Sequence, residues 1–572
     1  MKKGKVRSNL RMWAGLTAAI LAAMSLYACS GGGSAATTAA PAATAGAPAP
    51  EAQPAQTQTA AAETTAGAPA PASTEAIPAP APAAAEPKKL VIGAASDIVT
   101  LDPQNQTQTN TQDLFATIGA FLFKRDLDFV IQPDLVTDYK QVEDTVWEFT
   151  IRKGVKFTNG EDLTASDVKF TLDRESAPDS GLAAWTYYKC ITGTELVDDY
   201  TIRITTDIPR PDMLSLLAMS QAVILPEDFI TANGMEAYIL APVTAGVYTL
   251  KEWVPDDHYT LIPNPDYYGE KATWDEVVYR PIPESSTRVS ELLTGGVDLI
   301  YNVPVNEWGR VSSNTDAGGT SLAYGETSRV MLLIVRMTDG QPLSDPLLRE
   351  AVELAIDKTT ICDALLQGAG VPTRTRVGSS VPGFNFDLFG AQADLYNPER
   401  AKELLAEAGY APGELVLDMT ASSGRYLMDA EMAQMIAAYL QEVGITVNLE
   451  LVESTVISTM FTNKENKDLL MIGLSDGQYD GCYPLAHYGD LERGAGQTDY
   501  NSPECQKLYQ EALVEMNEDI KQEKEREIQA IAAEDRPHIC IAQINAIFGV
   551  NNKYELNPRM DTNIVPDEVT LK

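Results

Sequence analysis

The sequence predicts an α/β fold built on a mainly parallel sheet, and two observations support this prediction. Residues 414–453 contain a strand, a helix and a second strand, in the segments "ELVLDMTA", "DAEMAQMIAAYLQEVG" and "ITVNLELVE". A further helix near residues 455–462 then leads to the strand "DLLMIGLS". Strands that alternate with helices pair in parallel through right-handed crossovers. We therefore expect these strands to lie in one sheet.

The segment between residues 145 and 174 predicts a strand followed by a capped helix. Its strand residues alternate between two faces, with Val146, Glu148 and Thr150 on one and Trp147, Phe149 and Ile151 on the other. Turns are expected at Lys153-Gly154 and Asn159-Gly160. Thr164 is then a suitable N-cap, and Asp167 three residues later completes a start that resembles a capping box.

Two later helices have clear start signals. In "LSDPLLREAVELAIDKTTICDALLQG", Asp345 can cap the helix and Pro346 suits its first position. In "YNPERAKELLAEAGY", Asn397 and Pro398 repeat this arrangement, and Gly409 ends the helix. Both segments are therefore predicted to be helical.

The N-terminus predicts a lipoprotein signal peptide at residues 1–28. Five basic residues precede the apolar run "MWAGLTAAILAAMSLY", which is shorter than the ~20 residues needed to span a bilayer. The run ends in a segment that resembles a bacterial lipoprotein box, with Cys29 as the lipid-bearing residue; an ordinary signal peptide with a chance cysteine is the alternative. We expect lipid anchoring at the extracellular face of the cell membrane, or on the periplasmic side in a Gram-negative source.

Residues 29–87 predict a disordered tether. Ser30 to Pro87 consists almost entirely of Ala, Pro, Thr, Gly and Gln, with four Glu and no aromatic residue. Such a segment has too little apolar surface to offset its ordering entropy, and its prolines stiffen it. The globular part is therefore expected to begin near Lys88.

Composition argues against some classes of function. The formal charge of −37 disfavours nucleic-acid binding, which needs a basic surface. The three histidines, His258, His487 and His538, form no HExxH motif and no Cys/His cluster, so we expect no metal site and no cofactor. Five cysteines lie in the globular part, and a bridge between Cys482 and Cys505 is possible although the sequence does not establish it.

Two charged residues follow strands of the predicted sheet. Arg425 lies in "SSGRY", shortly after the strand that ends near Ala421, and Asp476 directly follows the strand that ends near Leu474. Ligands of open α/β sheets bind beyond the carboxyl ends of the strands. If the two strands are neighbours, the arginine and the aspartate face one cleft.

The pattern "GLSDG" around Ser475 also matches the nucleophile elbow of serine hydrolases. A triad could be completed by Asp535 and His538, or by Asp480 and His487. The residues after Ser475 contain two glycines and a proline, which is a poor helix start, and the elbow needs a helix there for its oxyanion hole. A secreted hydrolase is therefore the less favoured alternative, and we expect no enzyme.

Stretches spread over nearly the whole globular part resemble the bacterial extracellular solute-binding proteins of family 5, which include the dipeptide- and oligopeptide-binding proteins of ABC importers. Among them are "TLDPQ", "WEFTIRKGVKFTNGEDLTASDVKFTL", "PVTAGVYTLKEWVPDDHYTLIPNPDYYG", "LREAVELAIDKTTICDALLQGAG" and "NSPECQKLYQEAL". The resemblance implies a two-lobed periplasmic-binding-protein-like clamshell with an extra inserted subdomain. Lobe I would comprise residues 88–110, 196–328 and 532–572, the inserted subdomain 111–195, and lobe II 329–531.

The same resemblance implies binding residues and partners. An aspartate in a loop like that of Asp476 pairs with the α-ammonium of a peptide, and an arginine placed like Arg425 meets a peptide carboxylate. Asp480 could equally be the corresponding aspartate, and Tyr426 and Tyr479 could be aromatic residues of the cleft. We expect a monomer that delivers a short peptide to the permease and ATPase subunits of an ABC importer. An oligosaccharide, an opine, or a nickel or haem chelate is the alternative ligand.

Overall fold

The computed structural model describes residues 87–106, 108–313, 316, 318–491 and 496–572. The predicted signal peptide, the predicted lipid-bearing Cys29 and the predicted tether up to residue 86 lie outside these residues and stay predictions. Within the described part, no helix combines the length and the apolar character needed to cross a membrane.

The strands are numbered in chain order. They are β1 (Lys89–Ala94), β2 (Phe123–Arg125), β3 (Ile131–Pro133), β4 (Val136–Glu143), β5 (Val146–Ile151), β6 (Ile191–Asp198), β7 (Thr201–Thr206), β8 (Tyr248–Val254), β9 (His258–Pro263), β10 (Glu276–Pro281), β11 (Leu299–Ile300), β12 (Thr320–Gly325), β13 (Val330–Val335), β14 (Gly370–Pro372), β15 (Leu415–Ser422), β16 (Ile445–Val452), β17 (Leu469–Leu474), β18 (His538–Ile544), β19 (Ala546–Asn551), β20 (Tyr554–Leu556) and β21 (Val569–Leu571).

The α-helices follow the same convention. They are α1 (Thr109–Ile118), α2 (Ala165–Ser176), α3 (Trp185–Tyr188), α4 (Met213–Leu216), α5 (Glu227–Asn233), α6 (Met235–Leu240), α7 (Ser285–Thr294), α8 (Trp308–Val311), α9 (Pro346–Ala355), α10 (Lys358–Thr360), α11 (Pro398–Glu407), α12 (Asp429–Glu442), α13 (Ser454–Asn463), α14 (Cys482–Gly489), α15 (Gly496–Thr498), α16 (Pro503–Leu513) and α17 (Glu518–Asp535). A π-helical turn spans Ile361–Leu365, and short 3-10 helices span Val305–Glu307, Pro342–Ser344, Phe386–Leu388, Gly390–Ala393 and Pro566–Glu568.

The larger of two main sheets has seven strands in the order β12-β19-β11-β1-β10-β9-β8. β1 pairs in parallel with both β10 and β11, so the carboxyl ends of these three strands lie at the same edge. Leu90 and Ile92 of β1 are fully buried in the core beside this sheet. We call it the first sheet.

The second sheet has six strands in the order β14-β18-β13-β17-β15-β16. β15 pairs in parallel with both β16 and β17, and α12 and α13 lie between these strands in the chain. The predicted alternation of strands and helices is therefore confirmed. Because β15 and β17 are neighbours, the condition for Arg425 and Asp476 to face one cleft is met.

The predicted helix starts are also confirmed. The backbone N–H of Thr164 donates to the Asp167 carboxylate at 2.8 Å, and a reciprocal bond completes the capping box of α2. The carboxylate of Asp345 accepts the backbone N–H of Leu347 at 2.9 Å at the start of α9. Asn397 caps α11. In β5, the three residues predicted to share the apolar face are buried.

A separate antiparallel sheet of order β4-β5-β7-β6 contains much of the segment predicted as the inserted subdomain. The expected boundary at residue 195 falls within β6, and the hairpin of β6 and β7 carries this sheet on to Thr206. We therefore place the proposed end of the subdomain after Thr206. Two small sheets, β2-β3 and β20-β21, complete the strand pairing of the described residues.

Two segments connect the first sheet to the second. Residues 326–329 join β12 to β13, and Asn545 joins β18 to β19. The hydroxyl group of Thr327 donates to the carbonyl oxygen of Ile544 at 2.7 Å, so the two connections are bonded to each other. Because β18 pairs with β13, we move the proposed second boundary of the lobes from residue 532 to Asn545.

A buried ion cluster lies beside the second sheet. Glu353 of α9 is only 2% exposed, and its carboxylate accepts hydrogen bonds from Lys358 (3.0 Å), Arg374 (3.0 Å) and Arg536 (2.7 Å). Burial acts to raise the pKa of Glu353, but the three cations outweigh it and lower the pKa to about 2. Lys358 also donates to the carbonyl oxygen of Thr373, so the chain itself satisfies this cluster.

Candidate functional site

A cavity of about 1750 Å³ is lined by residues from both main sheets. On one side these residues follow β1, β10 and β11, among them Ser96, Ser285 and Asn302. On the other side they follow β15 and β17, in the ranges 424–428 and 475–477. The carboxyl ends of parallel strands therefore face the cavity from both sides, which is where open α/β sheets bind ligands.

Asp476 follows β17 and lines the cavity. Its side chain is buried, and its carboxylate accepts the backbone N–H groups of Gln478 (2.9 Å), Tyr479 (2.8 Å) and Asp480 (3.1 Å). Burial, together with the nearby Asp480 carboxylate, raises the pKa of Asp476 to about 7. An approaching cation would lower this pKa again, because it favours the charged form. Asp476 therefore holds its own loop at the cavity.

Arg425 and Tyr426 lie in the loop between β15 and α12, and both line the cavity. The carboxylate of Asp429 fixes this loop by accepting the backbone N–H groups of Gly424 (2.8 Å), Arg425 (3.0 Å) and Tyr426 (3.2 Å). The hydroxyl group of Tyr426 donates to the carbonyl oxygen of Gly473 at 2.9 Å. The guanidinium group of Arg425 lies 5.2 Å from the centre of the Tyr426 ring.

Arg329 also lines the cavity, although it is not among the predicted site residues. It directly precedes β13, and its guanidinium group lies 5.4 Å from the centre of the Tyr426 ring. Among the described residues, no carboxylate lies within salt-bridge distance of this group. The sequence does contain a signal, because Arg329 stands immediately before the apolar run "VMLLIV", all of which is buried. A charged residue at that position lies where the strand begins, at the end of the buried apolar run.

Tyr479 lines the cavity within a cluster of aromatic and arginine side chains. The guanidinium group of Arg125 lies 5.3 Å from the centre of its ring and donates to the carbonyl oxygen of Gln478 at 2.6 Å. The ring of Phe129 lies 4.5 Å from the Tyr479 ring, and Arg559 lies over Phe129 at 5.2 Å. This cluster connects the loop after β17 to the region of β2, and no local sequence pattern predicts this connection.

Asp480 is not among the residues that line the cavity. Its carboxylate forms a buried ion pair with Lys521 and accepts the backbone N–H of Cys482 at 3.0 Å. Asp480, Cys482 and Glu525 place potential metal-ligand atoms close together. The ammonium group of Lys521 also lies 3.7 Å from Glu525, so this lysine already supplies the cation of the group. We therefore leave Asp480 out of the proposed ligand contacts.

The surroundings of Ser475 differ from a nucleophile elbow. Ser475 is exposed at the cavity, and the residues that follow it form the loop held by Asp476 rather than a helix. Members of the candidate triads have other partners. The carboxylate of Asp535 accepts a hydrogen bond from the hydroxyl group of Tyr500 at 2.6 Å, and Nδ1 of His487 lies 3.0 Å from Oε1 of Gln497. Neither candidate histidine lines the cavity.

The possible bridge between Cys482 and Cys505 is not formed, because both residues are buried free thiols. The thiol of Cys482 donates to a carboxylate oxygen of Glu525 at 3.3 Å. The sulfur of Cys505 lies 3.6 Å from the hydroxyl oxygen of Tyr500. Both sulfur atoms therefore have polar neighbours within their own lobe.

Comparisons with known proteins show the family of this chain. The family described as "Bacterial extracellular solute-binding proteins, family 5 Middle" matches residues 130–495. The glutathione-binding protein GsiB of Salmonella typhimurium (strain LT2) is 28% identical over 329 residues, which cover 57% of this chain and 62% of GsiB. The chain therefore spans less than two thirds of the length of that relative.

A second relative and a solved structure extend the likeness over most of the chain. The oligopeptide-binding protein AppA of Bacillus subtilis (strain 168) is 23% identical over 497 residues, which cover 82% of this chain and 90% of AppA. The periplasmic binding protein DppA of Helicobacter pylori, solved in complex with the peptide STSA, superposes with a TM-score of 0.71 at 23% identity. This match covers 84% of this chain and 98% of DppA. The predicted two-lobed fold is confirmed.

Proposed function

The chain belongs to the bacterial extracellular solute-binding proteins of family 5, and from this premise we propose that it captures a short peptide for an ABC importer. The peptide would bind in the cavity and then be delivered to the membrane permease. GsiB and AppA are named for binding glutathione and oligopeptides, and DppA holds the peptide STSA. These names support a peptide ligand for this chain.

One observation carries the proposal. Two side chains of opposite charge follow two neighbouring strands, and both line the cavity. Asp476 suits the α-ammonium of a peptide, and Arg425 offers a bidentate fork to a carboxylate. Removing charged groups from water without such partners is costly. Each charge-assisted hydrogen bond contributes roughly 1.5–3 kcal/mol. Tyr426 and Tyr479 would pack against the ligand between these two ends.

Closure of the lobes around the ligand is part of the proposal. The two connections between the sheets would act as the hinge, because few chain segments have to bend. Contacts outside the hinge would also break on opening, and two of them are hydrogen bonds. Arg125 donates to the carbonyl oxygen of Gln478 at 2.6 Å, and the hydroxyl oxygens of Tyr187 and Tyr483 lie 3.2 Å apart.

Titration calorimetry with di- and tripeptides tests the binding site. We expect Asp476→Asn and Arg425→Ala each to weaken binding about ten- to hundredfold, as the loss of one charge-assisted contact predicts. Glu270→Gln is the matched control, because Glu270 is an exposed carboxylate at the same cavity. Peptide affinities unchanged in both site variants would refute the proposed contacts, and no binding by any peptide would refute the peptide ligand.

We also propose that the protein does not catalyse a reaction at Ser475. The serine would act only as a turn residue of the loop that Asp476 holds. A fluorophosphonate probe should therefore leave the protein unlabelled, and Ser475→Ala should bind ligand like the parent protein. Labelling that disappears in Ser475→Ala would establish the hydrolase alternative.

The remaining proposal concerns anchoring and assembly. We propose a monomer held at the outer face of the membrane by lipid on Cys29, serving permease and ATPase subunits on other chains. Metabolic labelling with a palmitate analogue should mark the parent protein, and Cys29→Ser should abolish the label and release the protein into the medium. Equal labelling of both proteins would contradict an anchor at Cys29.

A further inference from the structure

The charge of the cavity contrasts with that of the whole protein. The sequence contains 80 acidic and 43 basic residues, yet seven basic and five acidic residues line the cavity. Two of the five, Asp561 and Glu568, bind the guanidinium group of Arg559 at 3.1 and 2.8 Å. The carboxylate of Asp567 accepts a hydrogen bond from the hydroxyl group of Tyr248 at 2.7 Å. The acidic groups at the cavity are thus largely engaged by the protein, and the excess charge is positive.

Arg329 is one of these basic residues of the cavity. Its guanidinium group is half-buried, and among the described residues it has no carboxylate partner. Burial lowers the pKa of Arg329, and the neighbouring positive charge of Arg425 lowers it further. A half-buried cation next to a like charge is unfavourable unless an anion joins it. The described residues provide no such anion at Arg329.

Arg329 and Arg425 reach the same place from different parts of the second sheet. Arg329 precedes β13 and Arg425 follows β15, while β17 lies between these strands. Both guanidinium groups lie over one ring, that of Tyr426, whose hydroxyl group is fixed to the carbonyl oxygen of Gly473. The two cations therefore share one ring that lines the cavity, and the charge of Arg425 acts on Arg329.

We propose that the ligand is an acidic solute with two carboxylates close together, such as a short peptide ending in Asp or Glu, whose acidic end binds Arg329 and Arg425. This inference rests on the proposed function and narrows its ligand class. Arg425 would meet one carboxylate and Arg329 the other. Asp476 at the neighbouring strand end would remain available for the α-ammonium group.

The test compares peptides that differ only in one charge. Ala-Glu and Ala-Ala-Glu are titrated into the ligand-free full-length protein, each against its Gln counterpart, and glutarate serves as a dicarboxylate that is not a peptide. We expect the Glu peptides to bind about ten- to hundredfold more tightly than the Gln peptides. Arg329→Met should reduce this ratio to about twofold or less, and Arg329→Lys should retain part of it.

Lys271→Met is the matched control, because it removes one positive charge from an exposed position at the same cavity. It should keep the full preference for the Glu peptides. Equal binding of Glu and Gln peptides, or a preference that survives Arg329→Met, would overturn the inference and leave the peptide proposal intact. Binding of glutarate but of no peptide, lost in Arg329→Met, would support the acidic ligand and refute the peptide. Failure of every probe to bind would overturn both.

Discussion

Two groups of basic side chains near the second sheet have opposite surroundings. Around Glu353, three cations donate to one carboxylate, and Lys358 also donates to a backbone carbonyl oxygen. The charged groups of this cluster therefore find their hydrogen-bond partners within the protein. At the cavity, Arg329 lies over the ring of Tyr426 without any carboxylate among the described residues. The comparison separates charge that stabilises the fold from charge that is left for a ligand.

The difference follows from the cost of burying charge. A buried carboxylate is tolerated when cations and hydrogen bonds replace water, as they do at Glu353. Arg329 is only partly buried and lines the cavity, so a ligand carboxylate can reach it. Substitutions at the first group should therefore act on stability, and substitutions at the second should act on binding.

The largest effect is expected for Glu353→Gln, which leaves Lys358 and Arg536 without a carboxylate partner and Arg374 with only the exposed Glu534. The free energy of unfolding should fall by about 3–5 kcal/mol, as measured by urea denaturation. Glu534→Gln is the control, because the Glu534 side chain is 69% exposed and should cost less than about 1 kcal/mol. A loss of the same size in both variants would contradict the distinction.

Because of the Glu353 carboxylate, the stability of the fold should depend on pH in the acidic range. Its pKa is lowered to about 2 in the folded protein, below the value of about 4.3 expected when unfolded. The unfolded chain therefore binds the proton first as the pH falls. The stability from Glu353 is complete above about pH 4.3 and is lost progressively towards pH 2. Glu353→Gln should flatten the stability curve in this window.

The second largest effect is expected for Arg329→Met, and it should fall on binding alone. The free energy of unfolding without ligand should stay within about 0.5 kcal/mol of the parent or rise slightly, since repulsion from Arg425 is removed. Thermal denaturation of the ligand-free protein measures this change. A loss of several kcal/mol would show that Arg329 belongs to the structural group instead.

A smaller effect is expected for Asp476, whose pKa of about 7 lies above the unfolded value of about 3.9. The folded protein binds this proton more tightly, so the contribution of Asp476 to stability falls as the pH rises from about 4 to 7. Asp476→Asn should remove this slope, although it weakens the loop hydrogen bonds by about 1–2 kcal/mol.

The affinity of the parent protein for a ligand ammonium group should rise between pH 6 and 8, as measured by calorimetry. Affinity independent of pH would exclude a contact with Asp476.

The smallest effect is expected for Tyr426→Phe. This change removes one hydrogen bond, to the carbonyl oxygen of Gly473, and should cost about 0.5–1.5 kcal/mol of stability. The ring stays in place, so ligand affinity should change less than threefold. Tyr426→Ala should weaken binding more strongly, because the surface under both arginines is lost. Equal affinities of the Phe and Ala variants would show that the Tyr426 ring does not contribute to ligand binding.

Local signals in the sequence predict much of the fold. Thr164 and Asp345 identify helix starts because a cap depends on residues only two or three positions away. The alternation of strands and helices predicts the neighbouring positions of β15 and β17. Since ligand sites lie at strand ends, Arg425 and Asp476 could be identified as cavity residues from this pattern alone.

The rest of the site depends on contacts between distant parts of the chain. Asp480 appears equivalent to Asp476 in the sequence, but Lys521, 41 residues away, binds its carboxylate outside the cavity. Arg125 contacts Gln478 across 353 residues. Arg329 is significant because no carboxylate of the described residues pairs with it, and the lack of a distant partner has no local pattern in the sequence.

A crystal structure of the protein with a bound acidic peptide tests the central claim most directly. We expect a ligand carboxylate within about 3 Å of a guanidinium nitrogen of Arg329, with the Glu353 cluster unchanged. The ligand ammonium should lie at Asp476. A ligand that binds elsewhere, or one that fills the cavity while Arg329 contacts only water, would contradict the separation of the two groups.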